Sequence, residues 1–226
     1  MNVLTEKNRY TLNKIGVALL FSTLLLGGCT SQQSSIKPVV KATPKPTKTV
    51  SSKEALWHKR QQQFARMASW NMDGKVAMRY KTDNWSFGVN WAQKGNNSVI
   101  NIKNPFTGAT VALLTQNNKK VTLKASDGKT YQDTNAERLL KKQANIELPL
   151  EGLVYWARGI TAPQYPKGKV VLDAMGRPKK LTQANWVIKY KRYKGNAYNS
   201  LPKKIILTRK KDAVYVNMVA KKWKTR

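Results

Sequence analysis

Asn84-Trp85-Ser86-Phe87-Gly88-Val89-Asn90-Trp91 alternates without a break. Trp85, Phe87, Val89 and Trp91 fall on one side, and Asn84, Ser86, Gly88 and Asn90 on the other. A period of two means a strand with one buried face, and here that face is strongly aromatic. Residues 75–80 read as a strand before it. Gly95-Asn96-Asn97 reads as a turn after it. Further strands are expected at 98–103, 110–116 and 119–125, with turn chemistry at Asn117-Asn118 and Asp127-Gly128. The last third returns to strands at 167–172, 179–182, 185–193, 203–209 and 213–223. In it Trp186, Ile188 and Tyr190 share one face, and Val214, Val216 and Met218 another.

Helical signals are few. Ser51-Ser52-Lys53-Glu54 fits a capping box, and Leu56, Trp57, Phe64 and Met67 follow at helical spacing, with an end expected near Ser69. Helices are also expected at 135–144 and 150–159. These are too few to cover both faces of a parallel sheet, and no internal repeat is evident. Many short antiparallel strands point to a sandwich or barrel. The preferred architecture is mainly β with helices (α+β), one sheet curling round them as an incomplete antiparallel barrel. Its bulky inner side chains either fill that barrel or line a ligand cavity.

The N-terminal region reads differently. Lys7, Arg9 and Lys14 precede an apolar stretch at 15–26. That stretch falls short of the roughly 20 residues a membrane span needs but suits a signal peptide. It closes on Leu26-Gly27-Gly28-Cys29, which resembles a bacterial lipobox. The resemblance implies a leader at 1–28 and acyl chains on Cys29, the chain's single cysteine. Thr30, in place of an Asp, implies the outer membrane. Residues 29–50 are rich in Ser, Thr, Pro, Lys and Gln and read as a lipidated tether. The folded domain is expected at 51–226.

Composition narrows the function. Lys and Arg number 42 against 11 Asp and Glu, a formal charge of +31, which implies an anionic partner such as a membrane surface, an acidic protein or nucleic acid. One Cys and one His leave no disulfide framework and argue against a His-based zinc site or a Ser–His–Asp triad. No G-x-S-x-G, H-E-x-x-H or Walker A pattern occurs. Asp73, Asp83, Asp127 and Asp133 lie near expected turns. Glu147 and Glu151 suit a helix start better than catalysis. The Lys pairs at 119–120, 141–142, 179–180, 203–204, 210–211 and 221–222 are dispersed, unlike a nucleic-acid groove. Neither catalytic nor metal-binding residues nor a cofactor are expected, and nucleic acid is not the expected partner.

Short motifs then fall in a telling order. Trp57-His58, Trp70 and Gly74-Lys75-Val76-Ala77 precede Phe87-Gly88-Val89-Asn90-Trp91 and Asn104-Pro105-Phe106. Leu148-Pro149-Leu150, Trp156-Ala157-Arg158-Gly159, Asn185-Trp186-Val187, Leu201-Pro202, Ile205-Ile206-Leu207-Thr208 and Trp223 follow. From Trp57 to Trp223 the chain resembles the LolB family of outer-membrane lipoprotein receptors. The resemblance implies a LolA/LolB-like unclosed barrel, with an α-helical lid over a hydrophobic cavity. It implies a monomeric receptor, anchored at Cys29 on the periplasmic face of the outer membrane. Such a receptor takes acylated lipoprotein cargo from the periplasmic carrier LolA and inserts it among the membrane's phospholipids. Phe87, Val89, Trp91, Trp156 and Trp186 are then expected at the acyl-chain cavity. Phe106, with Pro105 and Gly108 shaping its loop, is expected to insert into the membrane; Thr107 stands where the family often has Gly. Two other classes stay open: a basic envelope lipoprotein holding anionic polymer or lipopolysaccharide, and a DNA-uptake module.

Overall fold

The computed structural model describes residues 51–118, 120–211 and 213–225. The expected leader, Cys29 and the tether lie outside these residues, as does Lys119 of the first Lys pair. Among the described residues there is one antiparallel sheet and three helices. The elements run α1 (Ser52–Ala65), β1 (Ser69–Tyr80), β2 (Asp83–Lys94), β3 (Asn97–Lys103), β4 (Thr110–Asn117), β5 (Lys120–Ala125), β6 (Thr130–Asp133), α2 (Ala136–Ala144), α3 (Leu150–Trp156), β7 (Lys169–Leu172), β8 (Pro178–Gln183), β9 (Trp186–Tyr193), β10 (Pro202–Arg209) and β11 (Val214–Thr225).

The strand order is β6-β5-β4-β3-β2-β1-β11-β10-β9-β8-β7. Two meanders are therefore joined by pairing the first strand with the last. The edges are β6 and β7, so the sheet is an unclosed barrel. The chain has to cross from one edge to the other, and residues 134–168, which carry α2 and α3, make that crossing over the concave face.

Alternation sets the register. In β1, Trp70, Met72, Val76, Met78 and Tyr80 are buried while Asn71, Lys75 and Arg79 are exposed. The β1–β11 seam is closed by aromatic packing. Trp70 lies 5.1 Å from Trp91 and 5.4 Å from Trp223, ring centre to ring centre. A register shift at Asp73/Gly74 bends this seam. Gly74 is needed there, because a Cβ would stand 2.5 Å from the Val219 carbonyl oxygen.

Two expectations at the start of the domain need correction. The first helix ends at Ala65, not near Ser69, and β1 starts at Ser69. Its buried face also includes a charge, since Arg60 is fully buried beside Trp57 and Phe64. The Arg60 guanidinium donates to four main-chain carbonyls: Nε to Gly159 at 2.9 Å, Nη2 to Arg158 at 2.6 Å, and Nη1 to Tyr198 at 2.6 Å and Ser200 at 2.9 Å. Arg158 answers by donating to the carbonyls of Phe64 and Met67 at and just beyond the end of α1. Burial pulls both guanidinium groups down to about 10. They still carry charge at neutral pH, and the two arginines fasten α1 to the turn after α3.

Candidate functional site

The concave face divides into a filled half and a hollow half. Over β7–β9 it is filled. Trp156 and Trp186 are fully buried with ring centres 6.3 Å apart. The Trp156 indole N–H donates to Gln183 Oε1 at 2.9 Å. The same oxygen accepts the Ala162 amide at 2.9 Å, while Gln183 Nε2 donates to the carbonyls of Ala162 (2.9 Å) and Pro166 (3.0 Å). Tyr190 donates its hydroxyl to the Trp156 carbonyl at 3.0 Å, and burial holds that hydroxyl well above its ordinary pKa. Each polar group of this network that is buried has a partner, as a core of this kind requires.

Over β1–β4 the face is hollow. A cavity of about 580 Å³ is walled by Val76, Met78, Trp85, Phe87, Val89, Trp91, Ile100, Ile102, Val111, Ala112 and Leu114, with Leu207, Val216 and Met218 from β10 and β11. Its roof is Leu140 and Ala144 of α2, Ile146 and Leu148 of the following strap, and Leu150 and Leu153 of α3. The size lies within the roughly 300–1,000 Å³ of pockets that take small apolar ligands. The wall is aliphatic and aromatic and asks for no fixed hydrogen bonds.

Phe87, Val89 and Trp91 are thus brought together in one wall, whereas Trp156 and Trp186 are not. The expectation that those two tryptophans stand at the cavity is revised: one is held by Gln183 and both are consumed in packing the other half. The roof residues Leu140, Ala144, Ile146, Leu148, Leu150 and Leu153, and Ile100, Ile102, Met78 and Val76 of the wall, were not assigned to the cavity from the sequence. The alternation of Ile100 and Ile102 and the spacing Leu140-Ala144 and Ile146-Leu148-Leu150 carried the signal.

The roof is tied down by charge. Asp133 accepts from the amides of Thr134 and Asn135 and pairs with Arg138 and Lys142. Those contacts, Arg138 foremost, hold its carboxyl well below the usual range. Asn135 caps α2, accepting the Arg138 amide at 2.8 Å. In the strap, Glu147 pairs with Lys141 at 2.6 Å and with Arg209 of β10 at 2.9 Å. Its carboxyl is lowered by these bonds, that to Lys141 first. Glu147 is therefore a fastener between roof and sheet. Glu151 is exposed on the first turn of α3. His58 is exposed on α1, and among the described residues no His, Cys, Asp and Glu cluster fit for a metal exists.

The β3–β4 loop stands at the rim. Lys103, Asn104, Pro105 and Val111 border the cavity. Asn104 Oδ1 accepts the amides of Phe106 (2.9 Å) and Thr107 (3.1 Å), and the Asn104 carbonyl accepts the Gly108 amide at 3.0 Å. Gly108, at φ +75°, turns the chain back. At the tip of this ordered loop the Phe106 side chain is 94% exposed. Folding gains nothing from a phenyl ring in water.

The described residues thus form an open antiparallel barrel with an apolar hollow, a helical roof and an exposed aromatic at the rim. A solved domain described as that of an outer membrane lipoprotein-sorting protein from Vibrio parahaemolyticus shares the fold, with a TM-score of 0.54 at 9% identity over 76% of this chain and 91% of that one. The family model for outer membrane lipoprotein LolB matches residues 68–223. The outer-membrane lipoprotein LolB of Nitrosococcus oceani is 33% identical over 84% of this chain and 88% of its own length. That of Pseudomonas aeruginosa is 32% identical over 75% and 81%. The chain belongs to the LolB family of outer-membrane lipoproteins, which serves lipoprotein localisation. Among the described residues no helix is long and apolar enough to cross a membrane.

Proposed function

We propose that this protein receives acylated lipoproteins from the periplasmic carrier LolA and passes them into the phospholipid of the outer membrane. On this reading residues 1–28 are a leader, and Cys29 carries the lipid anchor on a tether that ends near residue 50. The remaining residues, 51–226, form a monomeric acyl-binding domain. The observation that carries the reading is the apolar hollow of about 580 Å³ whose rim bears an exposed Phe106. Each buried methylene contributes roughly 0.8 kcal/mol, so one long acyl chain in the hollow gains on the order of 10 kcal/mol. A cavity that binds acyl chains more tightly than the carrier does moves cargo downhill without ATP. An envelope protein that only held anionic polymer would have no use for the hollow.

The test is direct. The mature chain with Cys29→Ala is mixed with carrier preloaded with a labelled lipoprotein, and the label is followed. Movement onto this chain without ATP is expected. Label remaining on the cognate carrier, with this chain verified as folded, refutes the proposal.

A further inference from the structure

The charge of this protein is unevenly placed. Residues 167–225 hold seventeen Lys and Arg against two Asp, whereas residues 69–133 hold nine against four. Strand register brings part of the excess together on the convex face. Lys75 of β1 pairs with Val219 of β11, Val219 with Lys204 of β10, and Lys204 with Arg192 of β9. In the next outward-facing row Ile206 pairs with Lys189, and Lys189 with Lys180 of β8. Lys191 lies between the rows. Neighbouring strands lie about 4.8 Å apart, so these six charges fall within roughly 20 Å. Among the described residues none of the six is in an ion pair.

Such a cluster has a cost. Lys180 and Lys189 stand directly opposite each other, and like charges so placed destabilise a sheet. Edge protection does not account for it, since β8, β9, β10, β11 and β1 are interior strands. Nor does stacking on nucleic acid: the positions between the charges are Val219, Asn217 and Ile206, without an aromatic ring.

We propose that this convex face of β8–β11 and β1 is a docking surface for the anionic headgroups of the membrane to which the family belongs. Phosphate is the chemistry that this field of lysines and an arginine outside ion pairs fits. Each Lys near an anionic leaflet strengthens binding about fivefold. The inference rests on the outer-membrane placement, not on transfer from the carrier.

The experiment uses the mature chain with Cys29→Ala, no carrier, and vesicles of phosphatidylcholine with or without about one-quarter phosphatidylglycerol. Sedimentation should show salt-sensitive binding only where phosphatidylglycerol is present. Combined Lys180→Glu, Lys191→Glu and Lys204→Glu should weaken it by on the order of 1,000-fold. A control set, Lys94→Glu, Lys120→Glu and Lys124→Glu, carries the same change of net charge on the other half and should lose less than about fivefold. Equal losses from the two sets, no loss from the first, or undiminished binding to phosphatidylcholine alone overturns the proposal. Should the triple variant fail to fold, Lys180→Glu alone decides. It should bind about tenfold more weakly yet melt no lower than the parent, because it turns a repulsive pair into an attractive one; unchanged binding by that variant overturns the proposal.

Discussion

Replacing Phe106 by Ser separates a working side chain from a packed one. The ring is 94% exposed, so its transfer free energy is almost wholly uncollected in the free protein. Burying a Phe side chain in an apolar phase gains roughly 1.5–3 kcal/mol, or about 10- to 150-fold in an equilibrium. Phe106→Ser should therefore weaken the loop's partition into a bilayer, and slow delivery of bound cargo to vesicles, by that factor. The fold should not notice. The loop is built by Asn104 accepting the amides of residues 106 and 107 and by the turn at Gly108, none of which needs the ring. A surface change of this kind is worth at most about 0.5 kcal/mol, or about 2 °C for a domain of this size. The assay pairs a thermal melt with cargo release to zwitterionic vesicles, where the basic face contributes least. A melt lowered by about 5 °C or more would show that Phe106 packs in the folded protein. Unchanged release with an unchanged melt would remove the loop from the mechanism.

Three further outcomes follow from particular contacts. Val89→Trp adds a further large ring to those of Trp85, Phe87 and Trp91 in the wall of the hollow; a fluorescent fatty-acid probe should bind at least about tenfold more weakly, at an overpacking cost of roughly 1–3 kcal/mol in a melt. Arg60→Lys leaves a point charge where a planar fork satisfied four carbonyls, and should cost about 3 kcal/mol or more, lowering the melting temperature by roughly 6–12 °C. Rescue by lysine would show that charge alone is needed there. Glu147 has a carboxyl lowered from 4.5 by Lys141 and Arg209. Its contribution is then complete above that value and lost as pH falls through the folded-state pKa. Below about pH 4.5 the protection of amides in residues 144–150, relative to their intrinsic exchange rates, should fall by a few-fold, and Glu147→Gln should show that lower protection at neutral pH with no such acid step.

Period two made most of the sheet readable, because alternation in Asn84 to Trp91 and in Trp186 to Tyr190 reports burial directly. It failed where a strand is short and carries a single apolar side chain, as β6 does with Tyr131. β6, Thr130–Asp133, has no buried residue and is a strand only because β5 pairs with it. The start of β1 obeys the same alternation, with Trp70 and Met72 buried between Asn71 and Asp73, but was masked by a helix expected to run to Ser69. The cavity was legible as an aromatic face but not as a position. Phe87 and Trp156 look alike in sequence, and what parts them is Gln183, whose amide takes the Trp156 indole across the core. Arg60 was invisible for the same reason. Its place on α1 matches the buried face, but a buried charge is believable only with acceptors, and these come from residues 158, 159, 198 and 200.

The division of the concave face explains why a hollow survives at all. A sheet open at β6 and β7 with nothing rigid inside would collapse on its apolar face. Here rigidity is supplied on one side by groups that demand direction: two arginines on carbonyls, Gln183 between Trp156 and Ala162, and Tyr190 on Trp156. Such bonds hold only in one geometry, so they fix the frame. On the other side Val89, Ile100, Leu114, Leu140 and Ile146 demand none, so the space they enclose tolerates being full or empty. The roof over that space is fastened to β10 by Glu147 through Arg209, a partly exposed pair of small worth. A stiff frame, an undemanding container and a weakly pinned cover are what reversible capture of a flexible apolar chain requires. On the proposed function, the rim where the cover meets the β3–β4 loop is the place where opening and Phe106 would act together.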